Sequence, residues 1–365
     1  MNRSFRDRDY LETVDGLFFT VIGSVHPKDR VLAYLKYLPD ANGKWGGGKH
    51  RYRRSMRYYS APNVMDAVDF LTGKFPQYVF YSEPLNMKFS AVPTRGITRH
   101  YCPEQQLREL LDREHLDTLQ AKAIELVCLI SDESGVPLDR LGITGSILVS
   151  LHKVRFSDID LVVYGRKETL RIKEALLSLY EKKGSGVKRL RGNSLSRWCR
   201  EMAMVHPFNV PEAKKLYNAK KWNKGTFRGT IFSIHPTKVE EELSEQYGNE
   251  FYKPCGIVEA KAKVVDSADS YFLPAVYLMK DVQFEGNIRF GMVERVVSYE
   301  GLYSDVASNG EDIIVRGKLE EVHDAAGQLK SRRILIGSPE AHASDFIKAV
   351  TPEDRKEEDS ANLRS

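Results

Sequence analysis

The sequence predicts a multidomain α+β protein: a small N-terminal α+β unit over residues 1–102, a central domain of mixed sheet with helices over 103–249, and a C-terminal β-rich, barrel-like domain over 250–350. Three observations predict it. A chain of 365 residues is long enough for two or three cores. Helical spacing dominates PEQQLRELLDREHLDTLQAKAIELVCLISDES, residues 103–134. From about residue 250 the texture changes to five β-rich runs separated by Asp, Ser, Asn and Gly. With 42% hydrophobic and 29% charged residues the composition is that of a folded globular protein. The last stretch, TPEDRKEEDSANLRS (351–365), is charged and almost free of apolar residues, and it is expected to be a disordered tail.

In the N-terminal unit LFFTVIG reads as a buried strand, DRVLAYLKYL (29–38) has apolar spacing compatible with a helix or with extension of a sheet, and NVMDAVDFLTG (63–73) reads as a short helix stopped by glycine. The central domain opens on one long helix from Pro103 to Ser134, with Leu107, Leu110, Leu111, Ile124, Val127, Cys128 and Leu129 on recurring faces, until Gly135 and Pro137 break it. LGITGS then gives a short strand and turn, and SILVSLHKV is expected to open the next helix. FSDIDLVVYG is a strand, KETLRIKEALLSLYEKKG a helix ended by Gly184, and FRGTIFSIHP (227–236) a strand ended by proline. The C-terminal runs GIVEAKAKVVD, YFLPAVYLMKDV, MVERVVSYEGLY, DIIVRGKLEEVHD and RRILIGS suit a small barrel or sandwich, with a five-stranded oligonucleotide-binding type of barrel preferred.

Several classes are excluded or disfavoured. No stretch approaches the roughly 18 consecutive apolar residues of a membrane span, so no membrane partner is expected. The N-terminus, MNRSFRDRDY, mixes both charge signs where a signal peptide carries an apolar segment. Cys102, Cys128, Cys199 and Cys255 form no close pair, which suggests reduced thiols and a cytoplasmic protein. The nine histidines show no HExxH pattern.

The formal net charge of +5 is unevenly distributed. Residues 44–59 (KWGGGKHRYRRSMRYY) carry six Lys/Arg and no acid, interleaved with Trp45, Tyr52, Tyr58 and Tyr59. Residues 182–228 carry thirteen Lys/Arg against Glu201 and Glu212. Such patches suit a polyanion, since cations neutralise phosphates and flat side chains stack on unpaired bases; solvated basic faces are the plain alternative.

The chemistry concentrates in GITGSILVSLHKVRFSDIDLVVYG, residues 142–165. Asp158 and Asp160 are the only acids across residues 140–167. Alternate strand residues point the same way and are roughly 7 Å apart at their bases, so the two carboxylates repel unless a cation lies between them. Carboxylate oxygens suit Mg²⁺ or Mn²⁺. Gly145 and Ser146 form a turn whose backbone N–H groups and hydroxyl can donate to phosphate.

This pattern of an apolar strand ending in Gly145-Ser146, a helical turn, and Asp158-Ile159-Asp160 in a following strand resembles the nucleotidyltransferase superfamily to which DNA polymerase β belongs. The arrangement of the chain resembles that of an uncharacterised group of predicted archaeal nucleotidyltransferases. The resemblance covers about residues 103–240. It implies a polymerase β-like nucleotidyltransferase domain, a nucleoside triphosphate held at Gly145 and Ser146, and divalent metal held by Asp158 and Asp160. It also implies a third carboxylate from a later strand. GTIFSIHP places Ser233 there, with His235 on the same face, and Glu240, Glu241 and Glu242 are the nearby acids that could substitute.

The expected activity is transfer of a nucleoside monophosphate from a nucleoside triphosphate to an acceptor hydroxyl on RNA or another nucleic acid. Arg189, Arg191, Arg197, Arg200, Lys214 and Lys215 would steer the polyanion or clamp phosphates. The alternative is a catalytically inactive nucleotidyltransferase-fold protein that binds nucleic acid, favoured by the serine at the third position. Transfer to a protein or small molecule is a further reading within the enzyme class.

Overall fold

The computed structural model describes residues 3–56, 60–287 and 290–350; the expected tail at 351–365 and the basic-segment residues Arg57, Tyr58 and Tyr59 lie outside the described residues. Among the described residues the protein is α+β, with seven α-helices and three sheets. No helix among them is long and apolar enough to cross a membrane. The chain forms two compact units, one of Met1–Tyr59, Asn63–Trp198 and Lys221–Asn249, the other of Ser60–Pro62, Cys199–Lys220 and Glu250–Ser365. The first takes in most of the expected N-terminal unit and most of residues 103–249, and the segments 60–62 and 199–220 belong with the second.

The first sheet of the first unit contains β1 (Tyr10–Thr13), β2 (Phe18–Val21), β3 (Arg30–Pro39), β4 (Trp45–Gly47), β5 (His50–Arg54), β6 (Val79–Ser82), β7 (Met87–Pro93) and β8 (Ile97–Tyr101). Its main path runs β4-β5-β3-β2-β1-β8, with β7 also paired to β3 and β6 to β7. One face buries Leu11, Phe19, Leu35 and Leu38 together with Leu71 of α1 (Ala61–Lys74). The other face presents Tyr10, Phe18 and Tyr37 to Leu148, Val149 and Leu151, which fastens this sheet to the segment that follows the Gly145-Ser146 turn. The helix-compatible spacing of DRVLAYLKYL is therefore that of a strand, and its phase is explained by a β-bulge: Phe18 pairs with Tyr37 but Phe19 with Leu35, which leaves Lys36 as the extra residue opposite β2.

The second sheet is mixed: β11 (Val187–Arg189), β12 (Lys224–Phe227), β13 (Thr230–Thr237), β10 (Ile159–Tyr164) and β9 (Leu141–Thr144), in that order. The inner strand β10 runs parallel to β13 and antiparallel to β9. Its apolar run IDLVVY is buried at all but one position, as an inner strand covered on both faces should be. Helices α3 (Thr118–Ser134) and α5 (Arg166–Glu181) pack on each other and on β10.

Three local expectations are corrected. The helix expected over 103–134 is two helices, α2 (Pro103–Leu111) and α3. Asp117 starts the second: its carboxylate accepts from Leu119 N and Gln120 N at 2.8 and 3.0 Å, while the Gln120 side chain accepts from Asp117 N. This reciprocal cap satisfies donors that a continuous helix would have bonded internally. The helix expected from SILVSLHKV is a single turn, α4 (Gly145–Leu148), because Ser150 takes a left-handed conformation and Leu151 N and His152 N both return to the Ser146 carbonyl. The strand of GTIFSIHP does not end at proline: Pro236 pairs with Val163 and the strand continues to Thr237.

The second unit contains β14 (Glu250–Asp266), β15 (Ala275–Phe284), β16 (Val293–Ser298), β17 (Asp312–Asp324), β18 (Leu329–Ile336) and β19 (Phe346–Ala349). The first five match the expected β-rich runs. They pair β14-β15-β16-β18-β17, and β17 pairs back to β14, so the ring closes; the one parallel pairing is β16 with β18. Register shifts along β14 near Pro254, Lys261 and Val264 bend this long strand enough to pair with two neighbours. The sixth strand, β19, extends the ring from β17 and was not foreseen. Segment 199–220, which carries α7 (Val210–Lys220) and the end of α6 (Gly192–Val205), is held to this unit by ion pairs. His206 Nδ1 lies 3.0 Å from Glu300 Oε2, Lys220 Nζ 2.7 Å from Glu311 Oε2, and Lys348 Nζ 2.9 Å from Glu212 Oε1.

Candidate active site

Three strands of the second sheet converge on one carboxylate. Asp160 pairs across β9 with Thr144, the residue before the glycine turn, and across β13 with Ser233. The Ser233 hydroxyl donates to Asp160 Oδ1 and lies 3.0 Å from His235 Nε2, which is itself 3.6 Å from the same oxygen. Asp158 stands one residue before β10, and both carboxylates are half-buried. Ser233, singled out from the sequence, lies directly across from Asp160 on the parallel strand and presents a hydroxyl there.

The glycine turn is pressed against this group. Gly145 has φ +69°, and a Cβ built on it would lie 2.4 Å from Asp160 Oδ2. Only glycine fits both the backbone and the space. Ser146 is 2% exposed, and its hydroxyl has no hydrogen-bond partner among the described residues. A buried polar oxygen without a partner is unfavourable and marks a place where a ligand or water completes the bonding.

The two acids have unequal protonation. The charge of Asp160, with burial, raises the pKa of Asp158. Burial would raise Asp160 too, but the neighbouring His235, the hydrogen bond from Ser233 and the charge of Lys224 hold it well below the usual carboxylate range. Burial, with the charge of Arg8, pushes His235 down to about 4. Lys36 is pushed down to about 7 by burial and by Arg54, against the pull of Asp160 and Asp158. Four cations, Arg8, Lys36, Arg54 and Lys224, therefore act on a group with two carboxylates.

Two of the acids weighed as substitutes for a third carboxylate, Glu240 and Glu242, are engaged by other partners. Glu240 is paired with Arg6 and accepts from Ser4, which, against burial, holds it down to about 2. Glu242 accepts from Arg166 N at 2.7 Å and Val239 N at 3.2 Å.

The basic residues singled out from the sequence divide between the units. Arg189, on β11, donates to the Lys221 carbonyl at 3.2 Å and stacks 5.0 Å from the Tyr180 ring centroid; Arg191 and Arg197 are exposed in the same unit. Arg200, Lys214 and Lys215 are exposed in the second unit. In the 44–59 segment, Arg54 stacks 4.6 Å from the Trp45 ring and Arg51 donates to the Gly43 carbonyl, so these two serve the β4–β5 hairpin as well as any partner. Residues Lys36, Arg8 and Lys224 were not singled out from the sequence, because nothing in their neighbours marks them as close to the aspartates.

A second group of possible ligands, Asp9, His100 and Cys102, reads as structural. Arg3 donates to both Asp9 oxygens at 2.7 and 2.8 Å, and His100 Nε2 lies 2.8 Å from Asp9 Oδ2. Burial and the Asp9 charge push the Cys102 thiol up to about 12, whereas a metal needs the thiolate.

Fold and site together define a two-unit α+β protein in which a pair of carboxylates and a glycine turn meet at the head of the inner strand β10. The chain belongs to the family of the uncharacterized protein MJ1086 of Methanocaldococcus jannaschii, with 30% identity over 347 residues, 94% of this chain and 98% of that one. The likeness therefore runs through the N-terminal sheet, the aspartate sheet and the barrel alike. No protein-family model matches the chain. No solved structure matches it.

Proposed function

We propose that the protein is a Mg²⁺-dependent nucleotidyltransferase of the DNA polymerase β-like superfamily, moving a nucleoside monophosphate from a nucleoside triphosphate to an acceptor hydroxyl on RNA or another nucleic acid. One observation carries the reading: the Gly145-Ser146 turn is packed directly on Asp160, at the head of the strand that also aligns Asp158. Carboxylate oxygens are the donors a hard divalent cation takes, and the mutual repulsion of Asp158 and Asp160 is what such an ion relieves. The residues present therefore fit Mg²⁺, which Asp158 and Asp160 would hold and which, when bound, supplies positive charge to the reacting phosphate.

In the reaction the acceptor hydroxyl loses its proton to solvent, its oxygen bonds to the α-phosphorus while the bond from that phosphorus to the bridging β-phosphate oxygen breaks, and pyrophosphate leaves with that electron pair. Ser146 offers its unpartnered hydroxyl to the nucleotide phosphates. Ser233 and His235 keep Asp160 ionised over the whole neutral range. The closed five-strand ring, of the size used by oligonucleotide-binding barrels, and the exposed Arg191, Arg197, Arg200, Lys214 and Lys215 support a nucleic-acid acceptor.

Ser233 in the third acidic position favours a second reading, a catalytically inactive nucleic-acid-binding protein. Incubation with labelled nucleoside triphosphates, Mg²⁺ or Mn²⁺, and separate RNA, DNA and protein acceptors separates the two. Label joined to nucleic acid by the wild type and lost in Asp158→Ala supports transfer. Salt-sensitive RNA binding unchanged by that substitution, with no labelled product, supports the inactive reading.

A further inference from the structure

The turn after Leu151 holds an aromatic ring out to solvent close to the aspartates in the chain. Lys153 N donates to Ser157 Oγ at 2.9 Å, and Phe156 N and Ser157 N donate back to the Lys153 carbonyl at 3.1 and 2.9 Å. Residues 153–157 therefore form a closed turn. Its outer residues are Val154, Arg155 and Phe156, and Phe156 is 57% exposed. It stands two residues before Asp158, which keeps their Cα atoms within about 7 Å of each other. The Phe156 ring is perpendicular to that of Trp45 on β4, with centroids 5.9 Å apart. Trp45 lies in turn 6.0 Å from Tyr37 and carries the Arg54 guanidinium 4.6 Å from its centroid. Gly46 fastens strand and turn together: its N–H donates to the Leu151 carbonyl at 2.9 Å, and a Cβ on it would meet Leu151 Cδ2 at 3.1 Å.

A single exposed apolar side chain is ordinary. This one differs because three hydrogen bonds close its turn and a second aromatic braces its ring, so the ordering that a partner would otherwise impose is already in place. The surroundings are of one sign. Residues 41–56 and 149–157 contain no acid, and Lys44, Lys49, Arg51 and Arg155 are exposed there; Arg53, also exposed, is engaged 3.4 Å from Asp40. A rigid aromatic face with cations on either side is what an unpaired base and its flanking phosphates take. Charges spread over a hairpin and a turn suit the several phosphates of a strand, whereas a lone nucleotide is taken in a concave pocket.

We propose that Phe156, braced by Trp45, is a stacking platform for an unpaired base of a single-stranded nucleic acid, with Arg155 and the exposed cations of the β4–β5 hairpin taking its phosphates. The inference rests on the nucleic-acid part of the reading above and deepens it: the acceptor is an unpaired strand, held by a base face rather than by duplex shape. Phe156 makes the contact and Trp45 positions it. Every base has a π-face, so the platform accepts any of the four.

The test uses the full chain and fluorescence anisotropy with labelled single strands of RNA and DNA, the same RNA strand lacking its bases, an RNA duplex and a labelled nucleoside triphosphate. Wild type is expected to bind a single strand best. Phe156→Ala should weaken that binding roughly 5- to 150-fold, the range of one stacked base, and leave its salt dependence unchanged. Phe156→Leu should weaken it in the same direction, and Phe156→Tyr should keep it. Arg155→Gln should instead reduce the slope of log affinity against log salt by about 0.7, the share of one phosphate contact. The base-free strand should bind wild type and Phe156→Leu alike. Should Phe156→Ala fail to fold, Phe156→Leu and Phe156→Tyr carry the comparison. Three results overturn this inference alone: single-strand binding equal in wild type and folded Phe156→Leu, a loss confined to the triphosphate, or a dimer in sedimentation that Phe156→Leu dissociates. A wild type that binds none of the strands overturns the nucleic-acid reading as well.

Discussion

Ser233 donates its hydroxyl hydrogen to Asp160 Oδ1 from the position directly opposite on the parallel strand. A carboxylate there would add a third negative charge; the hydroxyl instead stabilises the ionised form of Asp160, together with His235. Removing a hydrogen bond to a charged group destabilises a protein by about 1.5–3 kcal/mol. Ser233→Ala should do so, and should bring the Asp160 pKa up toward the ordinary range in a carboxyl NMR titration.

Asp158 gives the opposite sign. Its folded pKa lies above the unfolded value of 3.8, so its ionised form opposes folding. The penalty is absent below the unfolded pKa and sets in as pH rises through the folded one. Asp158→Asn should therefore raise Tm at neutral pH and should have no effect in strong acid. Millimolar Mg²⁺ should raise the Tm of the wild type and leave that of the variant unchanged.

His235 supplies a pH dependence of its own. Burial and Arg8 lower its pKa from 6.5 to about 4, so between those values the unfolded chain binds the proton and the folded chain does not. Stability rises with pH in that window and falls as pH drops from 6.5 to about 4, by at most about 3 kcal/mol from this group. Half-buried His26, also pushed down by burial to about 4, adds in the same direction. Chemical denaturation at a series of pH values should show the fall, and His235→Asn should flatten it.

Gly145→Ala tests the turn. The left-handed backbone alone costs a residue with a Cβ about 1–2 kcal/mol, and the added carbon would meet Asp160 Oδ2 at 2.4 Å. The variant should be less stable by at least that amount and should bind nucleotide poorly even where it remains folded, measured by denaturation and by titration.

The carboxylate site was legible because its parts are close in sequence: a glycine turn, a short gap and an apolar strand with acids at its head. The barrel strands were legible from punctuation by Asp, Asn and Gly, although ring closure through β14 and β17 depends on pairing between strands far apart in the chain. Lys36 was hidden for a physical reason. The bulge shifts the apolar phase from Leu35 to Leu38, and a spacing of three reads equally as helix, so the residue between them carried no sign of its direction. The break before α3 had a visible signal in Asp117 and Gln120, three apart, but the strong apolar periodicity on both sides masked it.

The most direct measurement is anomalous diffraction from a crystal of the full chain soaked with Mn²⁺ and a non-hydrolysable nucleoside triphosphate. The account predicts manganese within coordination distance of both Asp158 and Asp160, with the triphosphate against Ser146. Nucleotide-free aspartates without metal under saturating soak, or a triphosphate bound elsewhere on the chain, would contradict it.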